Sequence, residues 1–148
     1  MHAHLVRHSL SRALLVFCLA AAGCQSPTPS AEPDPKNELP FGFMDAPAQG
    51  VGVERQIQMY GWALDDKGVK EVRVFVDGKY LAKTTISVSR PDVAQAHPGY
   101  GSGDVAGWAL TITLGDAIAP GVHTILAQAV DTQGATRDIG NVSVSLAK

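Results

Sequence analysis

Glu71-Val72-Arg73-Val74-Phe75-Val76-Asp77-Gly78-Lys79-Tyr80-Leu81 is the stretch that decides the fold. Val72, Val74 and Val76 alternate with Glu71, Arg73 and Phe75, the period of two that sends neighbouring side chains to opposite faces of a strand. Asp77-Gly78 follows, and both residue types tolerate the positive φ of a two-residue hairpin turn. The segment predicts a β-hairpin. Its register places Phe75 across from Tyr80 on one face and Val74 across from Leu81 on the other.

The same period runs outward on both sides. Ile57 and Met59 alternate with Gln56 and Gln58. Trp108, Leu110, Ile112 and Leu114 share a face, with Thr111 and Thr113 turned away. His123, Ile125, Ala127 and Ala129 form another row, and Val142, Val144 and Leu146 a further one. From Phe41 onward no ten-residue window carries a helical stripe, and Gly and Pro punctuate the gaps, as at Pro120-Gly121. Short strands at this spacing predict an all-β, immunoglobulin-like β-sandwich of about seven strands over residues 41–148.

Upstream the composition changes. Arg7 and Arg12 precede the apolar run Ala13–Ala22, which is shorter than the roughly 20 residues that cross a bilayer. A basic start, an apolar run of this length and small residues at its end read as a secretory signal over residues 1–23. Ala22-Gly23-Cys24 resembles the end of a bacterial lipoprotein signal peptide, although Ala21 stands where leucine is usual. That resemblance implies cleavage before Cys24 and acylation of its thiol, which would anchor the chain in a membrane. The alternative is secretion without lipid, with Cys24 merely near the cut. Gln25 rather than aspartate follows the cysteine, which the resemblance ties to an outer membrane where the source has two. Residues 24–40 would then be the lipidated cysteine and a disordered tether. Gln25–Pro40 holds five prolines and one large aliphatic side chain, Leu39, too little to bury against. In polyproline II, at about 3.1 Å per residue, the run reaches roughly 50 Å.

The chain has 12 basic and 14 acidic residues, a net charge of −2; without residues 1–23 it becomes −4, since Arg7 and Arg12 leave and no acid does. No basic stripe is present for nucleic acid and no polybasic patch for anionic lipid. Its two cysteines are Cys18, within the signal, and Cys24. The domain thus has no disulfide to brace it and must rely on its apolar core.

Several segments together resemble a recurrent bacterial immunoglobulin-like domain of secreted and surface proteins. They are Pro40-Phe41-Gly42-Phe43-Met44-Asp45-Ala46-Pro47-Ala48-Gln49-Gly50, Gly61-Trp62-Ala63-Leu64-Asp65-Asp66 and Val76-Asp77-Gly78. Arg90-Pro91-Asp92-Val93, His97-Pro98-Gly99-Tyr100, Gly121-Val122-His123-Thr124-Ile125 and Ala129-Val130-Asp131-Thr132-Gln133-Gly134 complete the set. The resemblance covers about residues 40–146. It implies a sandwich used as a spacer or adhesion module and implies no catalytic residues. Such domains are usually one part of a larger protein.

The candidate binding residues are Trp62, Arg90, Asp92, His97 and Tyr100. Gly61-Trp62-Ala63-Leu64 recurs as Gly107-Trp108-Ala109-Leu110, a recurrence read as coincidence or pseudo-symmetry. Trp108 is in phase with the core. Trp62 is out of phase with Ile57 and Met59, so either a bulge at Gly61 resets the register or Trp62 faces outward. Pro91–Ala96 can form one helical turn with proline first, inside the least strand-like segment, Arg90–Tyr100. Its polar and aromatic residues fit either a binding loop or a crossover in which Arg90 pairs with an acid and Tyr100 packs on the sandwich. His123 stands where sandwiches place a corner-forming tyrosine, so a structural hydrogen bond is its expected role. His97 and His123 are a poor zinc set. Asp65-Asp66, Asp104 and Asp131 are expected to form turns before they bind calcium. No enzyme activity, metal or cofactor is expected. The expected function is a lipid-anchored structural or interaction module of the cell envelope with a protein or glycan partner. The alternatives are a carbohydrate-binding module using Trp62 and the Arg90–Tyr100 loop, and a small envelope enzyme inhibitor using the Arg90–Asp104 loop.

Overall fold

The computed structural model describes residues 36–101 and 103–148. The expected signal segment, Cys24 and residues 25–35 lie outside the described residues. The described chain forms β1 (Phe41–Ala46), β2 (Gly52–Val53), β3 (Gln56–Leu64), β4 (Val69–Val76), β5 (Lys79–Thr84) and β6 (Val88–Ser89). The helix α1 (Pro91–Ala96) follows, then β7 (Val105–Thr113), β8 (Gly121–Asp131) and β9 (Thr136–Leu146).

Two sheets result, in the orders β1-β3-β7-β6 and β2-β9-β8-β4-β5. Neighbours are antiparallel except β2 and β9, which run parallel. This is the immunoglobulin arrangement, with an extra strand at each edge of the second sheet, β2 and β5. The described strands number nine rather than about seven. The first strand breaks at Pro47, which has no N–H for a ladder, and resumes as β2 on the opposite sheet. The hairpin strand β5 adds the other edge of that sheet, and the two-residue β6 is the short edge of the four-stranded one.

The hairpin forms where the alternation places it. Asp77 and Gly78 have φ of 50° and 76°, and Phe75 faces Tyr80 with ring centroids 5.9 Å apart, edge to face. Val74, however, pairs with Ala82 and not Leu81. A bulge inserts Leu81 as an unpaired residue, 37% exposed.

The inner faces meet as the periodicity requires. Ile57, Met59, Trp108 and Ile112 from one sheet pack on Val72, Val74, Ile125 and Val144 from the other, and all are buried. The recurring Gly-Trp pairs lie opposite each other in the β3–β7 ladder: Gly61 faces Trp108, and Trp62 faces Gly107. A side chain at Gly61 would strike the Phe43 carbonyl and the Trp108 ring. One at Gly107 would strike Val88 and the stem of Arg90. The β3–β7 register is unbroken from Gln56 to Trp62, so Trp62 faces outward. The bulge is on β1 instead, between Met44 and Ala46.

The domain also begins earlier than Phe41. Pro40 is fully buried, Asn37 donates to the Asp131 carboxylate, and Tyr100 donates to Glu38 at 3.2 Å. The end of the expected tether therefore belongs to the sandwich.

Candidate functional site

The segment from Arg90 to Tyr100 crosses the outer face of the four-stranded sheet and gathers all five candidate residues. Arg90 precedes α1 and makes no side-chain cap. Its guanidinium instead donates through Nη1 to Asp45 of β1 at 2.7 Å and through Nε and Nη2 to Asp92 at 2.9 Å each. Hydrogen bonds to Asp92 and Asp45 raise the guanidinium pKa, and the Arg90 bond lowers that of Asp92. The Arg90 amide donates to the Asp104 carbonyl at 2.6 Å, closing the base of the loop.

The aromatic residues gather around Phe41. Its ring meets Trp62, His97 and Tyr100 edge-on, with centroids 6.0, 5.2 and 5.1 Å away. His97 stacks on Trp62 at 5.3 Å with an interplanar angle of 30°. Leu64, Val93 and Ala106 are the buried members of this second, smaller core. Hydrogen bonding to Glu38 raises the Tyr100 phenol pKa. Arg90 therefore pairs with acids and Tyr100 packs on the sandwich, and the ring that occupies the Trp62 face is His97.

Two other polar groups are built into corners. His123 Nδ1 lies 2.7 Å from Asp77 Oδ2, and Nε2 lies 2.7 Å from the Ala119 carbonyl, four residues upstream. This is the bond back to the preceding corner that sandwiches more often make with tyrosine. A hollow of about 380 Å³ beside it is lined by Lys79, Tyr80, Leu81 and Ile118. Asp131 Oδ1 accepts from the amides of Gln133 and Ala135, and Asp65 Oδ1 accepts from Lys67, so both carboxylates shape their own turns. Burial acts to raise the Asp131 pKa, but the Asn37 bond and those amides outweigh it and leave it lowered. Burial dominates at Asp65 and raises it. Asp104 accepts from the Ser89 hydroxyl. Among the described residues no group of three or more His, Cys, Asp or Glu is placed to hold a metal.

Beside the crossover, the outer sheet face lies open. Gln56, Gln58 and Tyr60 of β3 stand opposite Thr113, Thr111 and Ala109 of β7, and all six are exposed. Phe43 stands opposite Trp62, one step diagonally from Tyr60. Phe43 is 58% exposed and Tyr60 51%. A hollow of about 370 Å³ adjoins this strip, lined by Ala46, Pro47, Val51, Glu54, Gln56 and Gln58, among others. The other sheet carries an ion-paired network, with Glu71 accepting from Arg73 at 2.7 Å and Lys83 at 2.8 Å. Phe43 and Tyr60 are not among the candidates drawn from the sequence. For Tyr60 the signal was present, because the alternation of Gln56 and Gln58 with Ile57 and Met59 puts it on the outward face.

No family model matches the chain, and no curated protein matches it. Solved structures do. The fibronectin(III)-like modules of Clostridium thermocellum CbhA share 17% identity over 73% of this chain and 45% of theirs, at a TM-score of 0.46. A Jonesia denitrificans lytic polysaccharide monooxygenase shares 15% over 68% of this chain and 60% of its own, at 0.45. A Niemann-Pick type C2 protein from the Japanese carpenter ant shares 12% over 78% of this chain and 98% of its own, at 0.44. The chain thus spans less than two thirds of the first two. The domain is an all-β, two-sheet sandwich with distant structural similarity to fibronectin(III)-like modules.

Proposed function

We propose that the chain is a lipid-anchored cell-envelope protein whose domain is a structural and interaction module, an adhesion or spacer element and not an enzyme. The observation that carries the reading is the exposure of Phe43 and Tyr60, two large side chains at diagonal positions on neighbouring strands of one sheet face. Two large rings held in water on adjacent strands are the kind of exposed apolar feature that a contact site would cover. The anchor rests on Ala22-Gly23-Cys24 and the spacing from the membrane on the proline-rich run after it.

The inhibitor alternative needs a protruding loop. The crossover instead lies against the sheet, tied to β1 through Asp45 and clamped by the Phe41 cluster. This geometry favours a flat contact surface over an inserted loop.

The test has two arms. Cys24→Ala is expected to move the chain from the membrane to the soluble fraction. A photocrosslinker in place of Tyr60 is expected to give an envelope adduct that one in place of Tyr80 does not. Membrane retention of Cys24→Ala overturns the anchor, and absence of a Tyr60-specific adduct overturns the interaction surface.

A further inference from the structure

We infer that the outer face of the four-stranded sheet, centred on Tyr60 and Phe43, binds the pyranose rings of a neutral polysaccharide. The inference rests on the proposed reading of that face as the interaction surface, and it names the partner's chemistry.

The side chains define what the face can accept. Tyr60 and Phe43 present ring surfaces that lie in water in the free protein. Aromatic rings carry large apolar area, and the phenol adds a polar tip. The C–H face of a pyranose is the complementary surface, an apolar plate of ring size edged by hydroxyls. Beyond Tyr60 come Gln58 and Gln56, with Thr111 and Thr113 beside them on β7. Amides and hydroxyls both donate and accept, which suits sugar hydroxyls. Ala109, opposite Tyr60, is too short to wall off the ring from that side.

Charge narrows the class. The six outward positions of β3 and β7 carry no Lys, Arg, Asp or Glu. The nearest charges, Asp45 of β1 with Arg90 and Asp92, are paired with one another. An anionic polymer or a basic peptide would therefore find no unpaired counter-charge on these six positions, and its own charge would be desolvated without compensation. Neutral hydroxyls carry no such penalty. Glu54 is the one acid lining the adjoining hollow.

Shape favours a linear chain. From Tyr60 to Gln56 the strip runs along one strand for about 13 Å, at roughly 3.3 Å per residue. That is the length of a few sugar units. At the Gln end the strip meets the hollow of about 370 Å³, within the size range of small-ligand sites. Trp62 is not the platform, because His97 already stacks on it.

The full chain titrated with cellohexaose and with chitohexaose, followed by two-dimensional NMR, tests this. At least one hexaose is expected to shift the Gln56, Gln58, Tyr60 and Thr111 resonances. Tyr60→Ala is expected to weaken that binding about tenfold, and Tyr80→Ala to leave it unchanged. Affinity is expected to change less than about twofold between low and high salt, since no ion pair contributes. No binding of either hexaose, binding indifferent to Tyr60→Ala, or tighter binding of dextran sulfate at low salt each overturns the inference. So does a dimer of the chain that Tyr60→Ala dissociates. A Tyr60-specific envelope adduct without hexaose binding sinks this inference and leaves the interaction reading standing. Loss of both removes that reading as well.

Discussion

His123 sits between two acceptors, and neither can donate to it. Thr124 and His123 hydrogen bonds hold the Asp77 carboxyl below its usual range, so it is ionised at neutral pH, with Lys79 adding to the effect. Ala119 offers a carbonyl. Both 2.7 Å contacts are therefore hydrogen bonds only when the imidazole carries both protons. The Asp77 bond, then the Ala119 bond, raise the histidine pKa above its ordinary 6.5. The fold holds this proton more tightly than the unfolded chain does. The stabilisation is complete below about pH 6.5 and is lost as pH rises through the higher folded value. Asp77 acts in the opposite sense, and its share disappears as pH falls below the ordinary carboxylate range. Urea unfolding from pH 6 to pH 9 should show stability falling, and His123→Ala should remove that slope. The variant's deficit should be about 1 kcal/mol at pH 6, modest because Asp77 is partly exposed. Glycines give a second prediction at this scale. Gly61→Ala should cost about 1–3 kcal/mol, since the new methyl meets the Phe43 carbonyl and the Trp108 ring. Gly115→Ala, with open space around it, should stay within about 0.5 kcal/mol by the same urea measurement.

Among the elements, α1 is the one whose place depends least on the sheet ladders. One buried side chain, Val93, and the Arg90 bridge to Asp45 hold it to the sheet. Arg90→Ala should cost about 1–2 kcal/mol and loosen the crossover. Trp62 should then become more accessible to acrylamide while Trp108, fully buried, stays protected. Unchanged quenching would mean that the Phe41 cluster alone fixes the crossover. How far this was legible depends on where each residue finds its partners. The hairpin and the inner faces were readable because the period of two alone sorts Val72, Val74 and Val76 from Arg73 and Phe75. Pro91 marked α1 to the residue for a local reason as well. The Leu81 bulge was not readable, since register slips depend on both strands. Neither was the pairing of Arg90 with Asp45, 45 positions apart, nor the crosswise meeting of the two Gly-Trp pairs. The outward ring of Tyr60 was readable from its phase with Gln58, but periodicity marks exposure without marking use.

At the scale of the whole molecule, the boundary between the proline-rich run and the sandwich sets what can be removed. The domain has no cysteine, so no disulfide shares the load with its core. Its N-terminal approach is correspondingly important. Asp131 is fully buried at the end of β8, and Asn37 supplies its side-chain donor. Pro40 is fully buried just before β1, and Glu38 accepts from the Tyr100 hydroxyl at the end of the crossover. A chain starting at Phe41 keeps every strand but strips a donor from a buried carboxylate and removes the buried Pro40. Such losses are large because the remaining group stays out of water without a partner. The chain from Phe41 should be less stable than the chain from Lys36 by about 2–3 kcal/mol. Asn37→Ala in the longer chain should reproduce a large part of that loss, with the deficit shrinking as acid protonates Asp131. Unfolding midpoints in urea at pH 7 and pH 3 measure both effects. Equal stability of the two chains would show that Asn37–Pro40 are spacer after all, and that the sandwich closes at β1 unaided.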